Sequence, residues 1–297
     1  MNVYGKEISI RGRLVRIARL ADEGFDFVED PDATARFLRE SGTRVDLFSF
    51  LPRLPNVTPD KRYLMDWDNV AALPISTYEN WWSKQIDSKT RNMVRRAEKK
   101  GIVVREVEFN DDIVKGIWEI HNECPFRQGR PFQHYGEDIE ATRKMSSTFL
   151  STSIFIGAFL EEQMIGFIKL TVDDARSQAG VMHIISMMKH RDKAPTNALV
   201  AQAVQSCSSR NIPYIVYSKF AYLRRQRDSL SDFKTNNGFE RIDLPKYYLP
   251  LTPWGSLAHR LGLHKSMLDR VPEPVQVKYR ELRSAWYNAR YKQNPAA

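Results

Sequence analysis

Arg91, Arg95 and Lys99 stand four residues apart, the interval that stacks side chains on one face of a helix. Residues 88–100 hold six cations against one acid, Glu98. Like charges at that spacing repel, so the ridge reads either as a solvated face or as a phosphate-binding surface. A second group lies in residues 124–136, Cys-Pro-Phe-Arg-Gln-Gly-Arg-Pro-Phe-Gln-His-Tyr-Gly. Prolines and glycines break this stretch, yet it carries Arg127, Arg130, His134 and Tyr135. A spacer needs none of these, so the loop is expected to face a ligand. The third group surrounds a helix start, Lys193-Ala-Pro-Thr196-Asn197-Ala198. Unpaired N–H groups and the positive end of the dipole make such a start an anion site, or else an ordinary strand–helix crossover.

The surrounding elements position these groups. Val181–Met188 is apolar without helical spacing and reads as a buried strand. The helix that follows keeps Leu199, Val200, Ala203, Val204 and Cys207 on one face, ending near Arg210. Before it, the pattern predicts a strand over 102–107, a helix over 111–122, a helix over 137–150 and a hairpin of strands 153–160 and 164–172. After it come a strand over 212–217, a helix over 227–234 and a strand over 241–251, with Pro253 closing the domain. Towards the N-terminus, strands are expected within 6–20, at 45–50 and at 63–73, and a helix begins at Asp30-Pro31-Asp32. Ser76 and Glu79 have the spacing of a capping box, opening a helix that contains Trp81 and Trp82. His121, among apolar helix neighbours, reads as packing.

The composition is globular, with 42% hydrophobic and 27% charged residues. The first thirty residues lack a signal pattern, and no apolar run approaches ~20 residues, so a soluble cytoplasmic protein is expected. Two isolated cysteines and no HExxH motif argue for no metal, and neither a Ser/His/Asp triad nor a GxxxxGK[ST] loop is present. The net charge of +9 is uneven: residues 251–297 carry eight Lys/Arg against three Asp/Glu. A basic balance suits nucleic acid, anionic lipid or a phosphorylated cofactor. Two amphipathic tail segments, with Leu257, Leu261 and Leu268 and then Val275, Tyr279, Leu282 and Trp286, are expected to pack on the body. The first is also suited to peripheral membrane contact.

The order of elements over 102–251, with Asn237-Gly238-Phe239 before the last strand, resembles the GNAT acyltransferase superfamily. Residues 88–101, Ser-Lys-Thr-Arg-Asn-Met-Val-Arg-Arg-Ala-Glu-Lys-Lys-Gly, and residues 228–239, Asp-Ser-Leu-Ser-Asp-Phe-Lys-Thr-Asn-Asn-Gly-Phe, are similar to its Fem-type branch and the BioF2-like (CelD-like) acetyltransferases. The resemblance implies an α/β fold with a central mixed, mostly antiparallel sheet flanked by helices, and a shortened second GNAT-like unit at the N-terminus. The expected organisation is an N-terminal portion over 1–101, a GNAT-like core over 102–251 and a basic helical extension over 252–297.

The resemblance also implies transfer of an acyl or aminoacyl group to an amine, with no tightly bound cofactor. The donor is acyl-CoA, held at Lys193, Thr196 and Asn197, or aminoacyl-tRNA, held by Arg91, Arg95, Lys99 and the basic tail. The family's pyrophosphate loop, Arg/Gln-x-x-Gly-x-Gly/Ala, is not matched: residues 193–198 contain no glycine. Many GNAT enzymes place a tyrosine four residues before the Gly-Phe glycine. Lys234 stands there, as in Fem-type proteins, with the implied role of stabilising the carbonyl oxygen; a helix-capping lysine is the bland alternative. His183, Asp228 and His134 are the candidate bases. A different class of function is a non-catalytic GNAT-fold module that binds nucleic acid or an anionic membrane.

Overall fold

The structure, a computed structural model, describes residues 1–127, 130–220 and 229–265, together with Val275, Lys278, Tyr279, Leu282 and Ala285. Three short strands open the chain: β1 (Asn2–Val3), β2 (Lys6–Arg11) and β3 (Ile17–Leu20). Helix α1 (Pro31–Glu40) starts where Asp30 accepts from the Ala33 N–H, with proline in the first turn. Then come β4 (Leu47–Phe50), β5 (Leu64–Pro74), the single turn α2 (Tyr78–Asn80), a π-helical turn (Trp81–Gln85) and α3 (Ser88–Lys99).

The second part runs β6 (Ile102–Val107), α4 (Asp111–Asn122), a small ribbon of β7 (Phe126–Arg127) and β8 (Arg130–Pro131), then α5 (Ile139–Ser146). Strands β9 (Ser153–Leu160), β10 (Gln163–Val172) and β11 (Ala179–Ser186) lead through a 3₁₀ turn (Met188–Lys193) into α6 (Pro195–Ser209). The chain continues as β12 (Tyr214–Val216), α7 (Ser229–Asn236), β13 (Glu240–Pro250) and α8 (Pro253–Arg260).

Among the described residues eleven strands form one sheet, in the order β1-β2-β3-β4-β13-β5-β12-β11-β10-β9-β6. Two neighbouring pairs are parallel, β3–β4 around α1 and β11–β12 around α6; the rest are antiparallel. The fold is therefore the expected mixed, mostly antiparallel sheet flanked by helices. Gly166 faces Leu199 of α6, whereas the next residue, Phe167, faces His121 of α4. Successive strand residues point to opposite faces, so α6 and α4 cover the sheet from opposite sides. The main core, including Leu73, Trp81, Ile117, Ile165, Leu199 and Val204, lies along these two layers. No helix among the described residues is long and apolar enough to cross a membrane.

Several boundaries depart from the pattern. β11 stops at Ser186 because the Met188 and Lys189 N–H groups turn away to the Glu123 carboxylate, each at 2.8 Å. The helix expected over 137–150 is only Ile139–Ser146, since Phe149 takes a left-handed backbone and the chain tightens into a 3₁₀ turn. Thr77, not Ser76, caps α2, accepting from the Asn80 N–H at 3.1 Å. Pro253 begins α8, with Thr252 as its cap. In α8 it is Ala258 that packs inward, while Leu257 and Leu261 face solvent. Leu268 and Trp286 lie outside the described residues.

Candidate active site

β11 and β12 pair only at Ala179↔Ile215 and Gly180↔Val216. Beyond that the strands part, and residues 181–186 keep a ladder with β10 alone. The register also slips by one: Lys169 faces His183 and Leu170 faces Val181, so Met182 is the extra residue of a bulge. A bulge re-aims side chains and releases backbone groups from the ladder, a device common beside active sites. The sheet thus opens at the point where β11 hands over to the helix start singled out in the sequence.

Lys234, on α7, lies against the segment that follows β12. Its side chain is fully buried, its Nζ donates to the Lys219 carbonyl at 2.6 Å, and it lies 4.5 Å from the centre of the Tyr217 ring. An ammonium out of water must be held by acceptors, and a carbonyl and a π face supply part of that. The end of α7 is fixed tightly. Asn237 is buried, and its Nδ2 donates to the Phe233 carbonyl at 2.8 Å. The Asn237 carbonyl accepts from the Trp81 Nε1–H at 3.0 Å, and its Oδ1 accepts from Asn197 Nδ2 at 3.2 Å. Gly238 has φ +88°, and a Cβ there would sit 3.1 Å from Leu73 Cδ1 and 3.3 Å from Trp81 Nε1. Only glycine suits both the backbone and the space.

On the opposite face the bulge presents His183 to a cluster of aromatic and basic groups. The His134 ring lies 6.4 Å away, edge-on, and itself stacks on His121 at 4.9 Å. His134 Nδ1 meets Glu137 Oε2 at 3.1 Å and its Nε2 meets Gln133 Nε2 at 2.9 Å, which together fit the Nδ1–H tautomer. Burial, then Lys169 and His134, push the His183 pKa down to about 4. Burial, then His134, His183 and Arg127, push that of His121 down to about 3. Both rings are neutral at pH 7. Lys169 is fully buried, and burial lowers its pKa to about 8. Its Nζ donates to the carbonyls of Ser146 (2.9 Å) and Thr148 and to Thr148 Oγ1 (3.0 Å). Lys169 thereby pins the end of α5 to the sheet.

The α4–α5 loop divides into two parts. Arg127 is turned inward: it donates to the carbonyls of Ser186 (2.7 Å) and Ile120 (2.8 Å) and pairs with Glu123 at 3.2 Å. It fastens the loop to the end of β11, beside the two amides that Glu123 holds. Arg130 and Tyr135 are exposed, and His134 joins the loop to His183.

On the donor side, Thr196 Oγ1 and Ser186 Oγ share a hydrogen bond of 3.0 Å, and Asn197 is engaged by Asn237. Lys193 is partly exposed, with Nζ 3.3 Å from His190 Nδ1 and 3.8 Å from Asp192. Ala194 caps α6 at φ +58° without a side-chain acceptor. The α3 ridge is not uniform. Arg91 donates to the carbonyls of Trp82 (3.0 Å) and Ile86 (2.6 Å), closing the π turn, while Arg95 lies over the Trp82 ring and Lys99 is exposed. α3 packs along α6 and touches the 3₁₀ turn, which carries Lys189, Arg191 and Lys193. Asp228 lies outside the described residues.

Lys169 and Glu123 belong to this site and were not singled out from the sequence, and Asn237 was met there only as the neighbour of the Gly-Phe ending. A lysine within the apolar run of β10 was the one visible signal; the bonds of Glu123 and Asn237 span folds of the chain that spacing does not reveal.

No protein-family model and no curated protein matches the sequence. Solved structures do match. The C-terminal domain (DUF2156) of a protein named as a lysylphosphatidylglycerol synthetase from Agrobacterium fabrum is similar at TM-score 0.56 and 16% identity, over 85% of this chain and 82% of that one. L-PGS from Bacillus licheniformis is similar at TM-score 0.56 and 13% identity, over 81% and 79%. FemX is similar at TM-score 0.56 and 10% identity, over 86% of each chain. The chain has a GNAT/Fem-like fold.

Proposed function

We propose that the protein is an acyltransferase that joins an amine to the carbonyl of an activated ester, with aminoacyl-tRNA as the donor. The observation that carries this reading is the parting of β11 from β12 together with the buried Lys234, held at the segment that follows β12. The neutral amine attacks the carbonyl, the C–N bond forms, and the carbonyl oxygen gathers negative charge. Lys234 stabilises that charge, and the intermediate collapses by breaking the C–O bond to the leaving ribose oxygen, which takes up a proton as the amine nitrogen gives one up. His183, neutral and set on the bulge, accepts a hydrogen bond from the incoming amine, and His134 orients it. The low basicity of His183 suits it to positioning more than to proton removal. Arg130 and Tyr135, at the exposed end of the loop, contact the acceptor.

The donor choice rests on what is left free. The Met188 and Lys189 amides are held by Glu123, Thr196 and Asn197 are bonded within the protein, and residues 193–198 lack the glycines a pyrophosphate cradle uses. The cations of α3 and of the 3₁₀ turn that it touches suit a polynucleotide backbone instead. The β3–α1–β4 unit has the same parallel, helix-joined form as β11–α6–β12, which favours reading the N-terminal portion as a shortened second GNAT-like unit. The test is a transfer assay with mixed aminoacyl-tRNA or acetyl-CoA as donor and a panel of amines. Transfer from the tRNA ester alone supports the reading. Transfer from CoA alone reverses the donor, and salt-sensitive RNA binding without transfer from either points to a non-catalytic module.

A further inference from the structure

The turn between β2 and β3 and the outer side of α8 meet on a face that the transfer chemistry does not use. The Trp254 Nε1–H donates to the Leu14 carbonyl at 3.1 Å, bringing the two elements together. Leu14 is 63% exposed, Leu257 48% and Leu261 61%. Trp254, Leu257 and Leu261 fall at i, i+3 and i+7, so they share one side of the helix. Around them stand Arg11, Arg13 and Arg260, all exposed, and among the described residues none of the three has an ion-pair partner. The nearby carboxylates are engaged elsewhere. Asp46 is buried and accepts from the Arg16 N–H at 2.8 Å, and Asp66 holds His264 at 2.6 Å and Lys265 at 3.0 Å.

The face is rigidly built. Gly12 has φ +105°, and a Cβ there would lie 2.0 Å from the Val15 carbonyl oxygen. A Cβ on Gly255 would lie 1.9 Å from the Asp46 carbonyl oxygen. Both glycines permit the backbone contacts that project Leu14 and press α8 against β4. Beneath, Val15, Leu47, Tyr248 and Ala258 are buried, so the three leucines are surplus to the core. Val275, Tyr279 and Leu282 in the tail are themselves exposed.

We propose that this face docks on an anionic lipid surface, the leucines entering the headgroup–acyl boundary and the arginines meeting lipid phosphates. Exposed aliphatic side chains ringed by unpaired arginines are the pattern of an interfacial site. A polynucleotide would use the arginines but gain nothing from three leucines, since bases stack on aromatic planes. The inference is independent of the transfer reading.

The test is cosedimentation of the full chain with phosphatidylcholine vesicles, with and without phosphatidylglycerol as about a third of the lipid. The wild type is expected to pellet only with the anionic vesicles. L14S/L257S/L261S should cut partitioning more than tenfold, and R11Q/R13Q/R260Q about a hundredfold, at about 1 kcal/mol per arginine. All six positions are exposed, so melting temperatures should stay near wild type; if one triple variant unfolds, the other decides. No binding by the wild type overturns the proposal, as does wild-type partitioning in the leucine variant. A dimer by light scattering that the leucine variant dissolves, with no vesicle binding, would make the face a contact between copies and also overturn it.

Discussion

The side-chain amide of Asn197 donates to the side-chain oxygen of Asn237 at 3.2 Å, tying the first turn of α6 to the end of α7. One bond thus joins the helix that follows β11 to the helix that carries Lys234, across the opening where the sheet parts. Asn237 is buried and also donates to the Phe233 carbonyl. Asn237→Leu removes the side-chain bonds to Asn197 and to the Phe233 carbonyl, which keeps the backbone N–H of residue 237 at 3.1 Å, at a cost of about 1–3 kcal/mol in all. Asn197→Ala removes only the partly exposed end. Thermal unfolding should show a large loss for the first variant and a small one for the second. Equal losses would mean that Asn237 matters only through Asn197.

Glu123 stands where a donor phosphate would need backbone amides. Glu123→Ala should free the Met188 and Lys189 N–H groups and create an anion site at the head of the 3₁₀ turn. Calorimetric titration with CoA is expected to show binding by the variant and none by the wild type. Comparable CoA binding by both would place the phosphates elsewhere and weaken the case for a tRNA donor.

The three cations of the α3 ridge should separate by role. Arg91→Ala should cost stability, because Arg91 closes the π turn through two carbonyls, and should leave the salt dependence of RNA binding nearly unchanged. Arg95→Gln with Lys99→Gln should do the opposite, weakening tRNA binding and lowering the salt slope by roughly one to two units. Filter binding across a salt series checks this; an unaltered slope in the double variant would leave the ridge a solvated face.

His121 and His183 predict acid sensitivity. Burial lowers both pKa values, to about 3 and about 4, below the ordinary value of about 6.5 that they regain on unfolding. The unfolded chain therefore binds more protons below pH 6.5, and stability falls as pH drops from there towards the folded pKa values. By pH 5 each histidine should contribute a loss of roughly 2 kcal/mol. His183→Leu should flatten the decline in melting temperature between pH 7 and pH 5, whatever its effect at pH 7. An unchanged slope would show that His183 is not held neutral by the fold.

Much of this architecture was legible because periodicity and capping are local. The strand over 102–107 and the helix over 111–122 matched the structure residue for residue, with Asn110 capping the latter. The Gly-Phe ending located the Lys234 turn because Gly238 needs a left-handed backbone in a closed space. What stayed hidden depends on partners distant in sequence. Arg127 has the composition of a substrate-contacting residue, yet it is drawn inward by the Ser186 carbonyl, 59 residues away. Leu257 and Leu261 have core-helix spacing, but Gly255 sets the opposite side of α8 against β4 and turns them to solvent.

The central claim is that Lys234 stabilises the carbonyl oxygen during transfer. Lys234→Met removes the charge and keeps most of the apolar stem. Lys234→Arg should rescue poorly, since a planar fork does not fit a point-charge position. The most direct measurement is the single-turnover transfer rate with saturating aminoacyl-tRNA, for the wild type and both variants, each first shown to be folded by its thermal transition. The account predicts a fall of ~10²–10³ for Lys234→Met, the usual effect of losing one oxyanion donor. A folded Lys234→Met protein that keeps more than about a third of the wild-type rate, far above that range, would reduce Lys234 to a buried helix cap and contradict the mechanism.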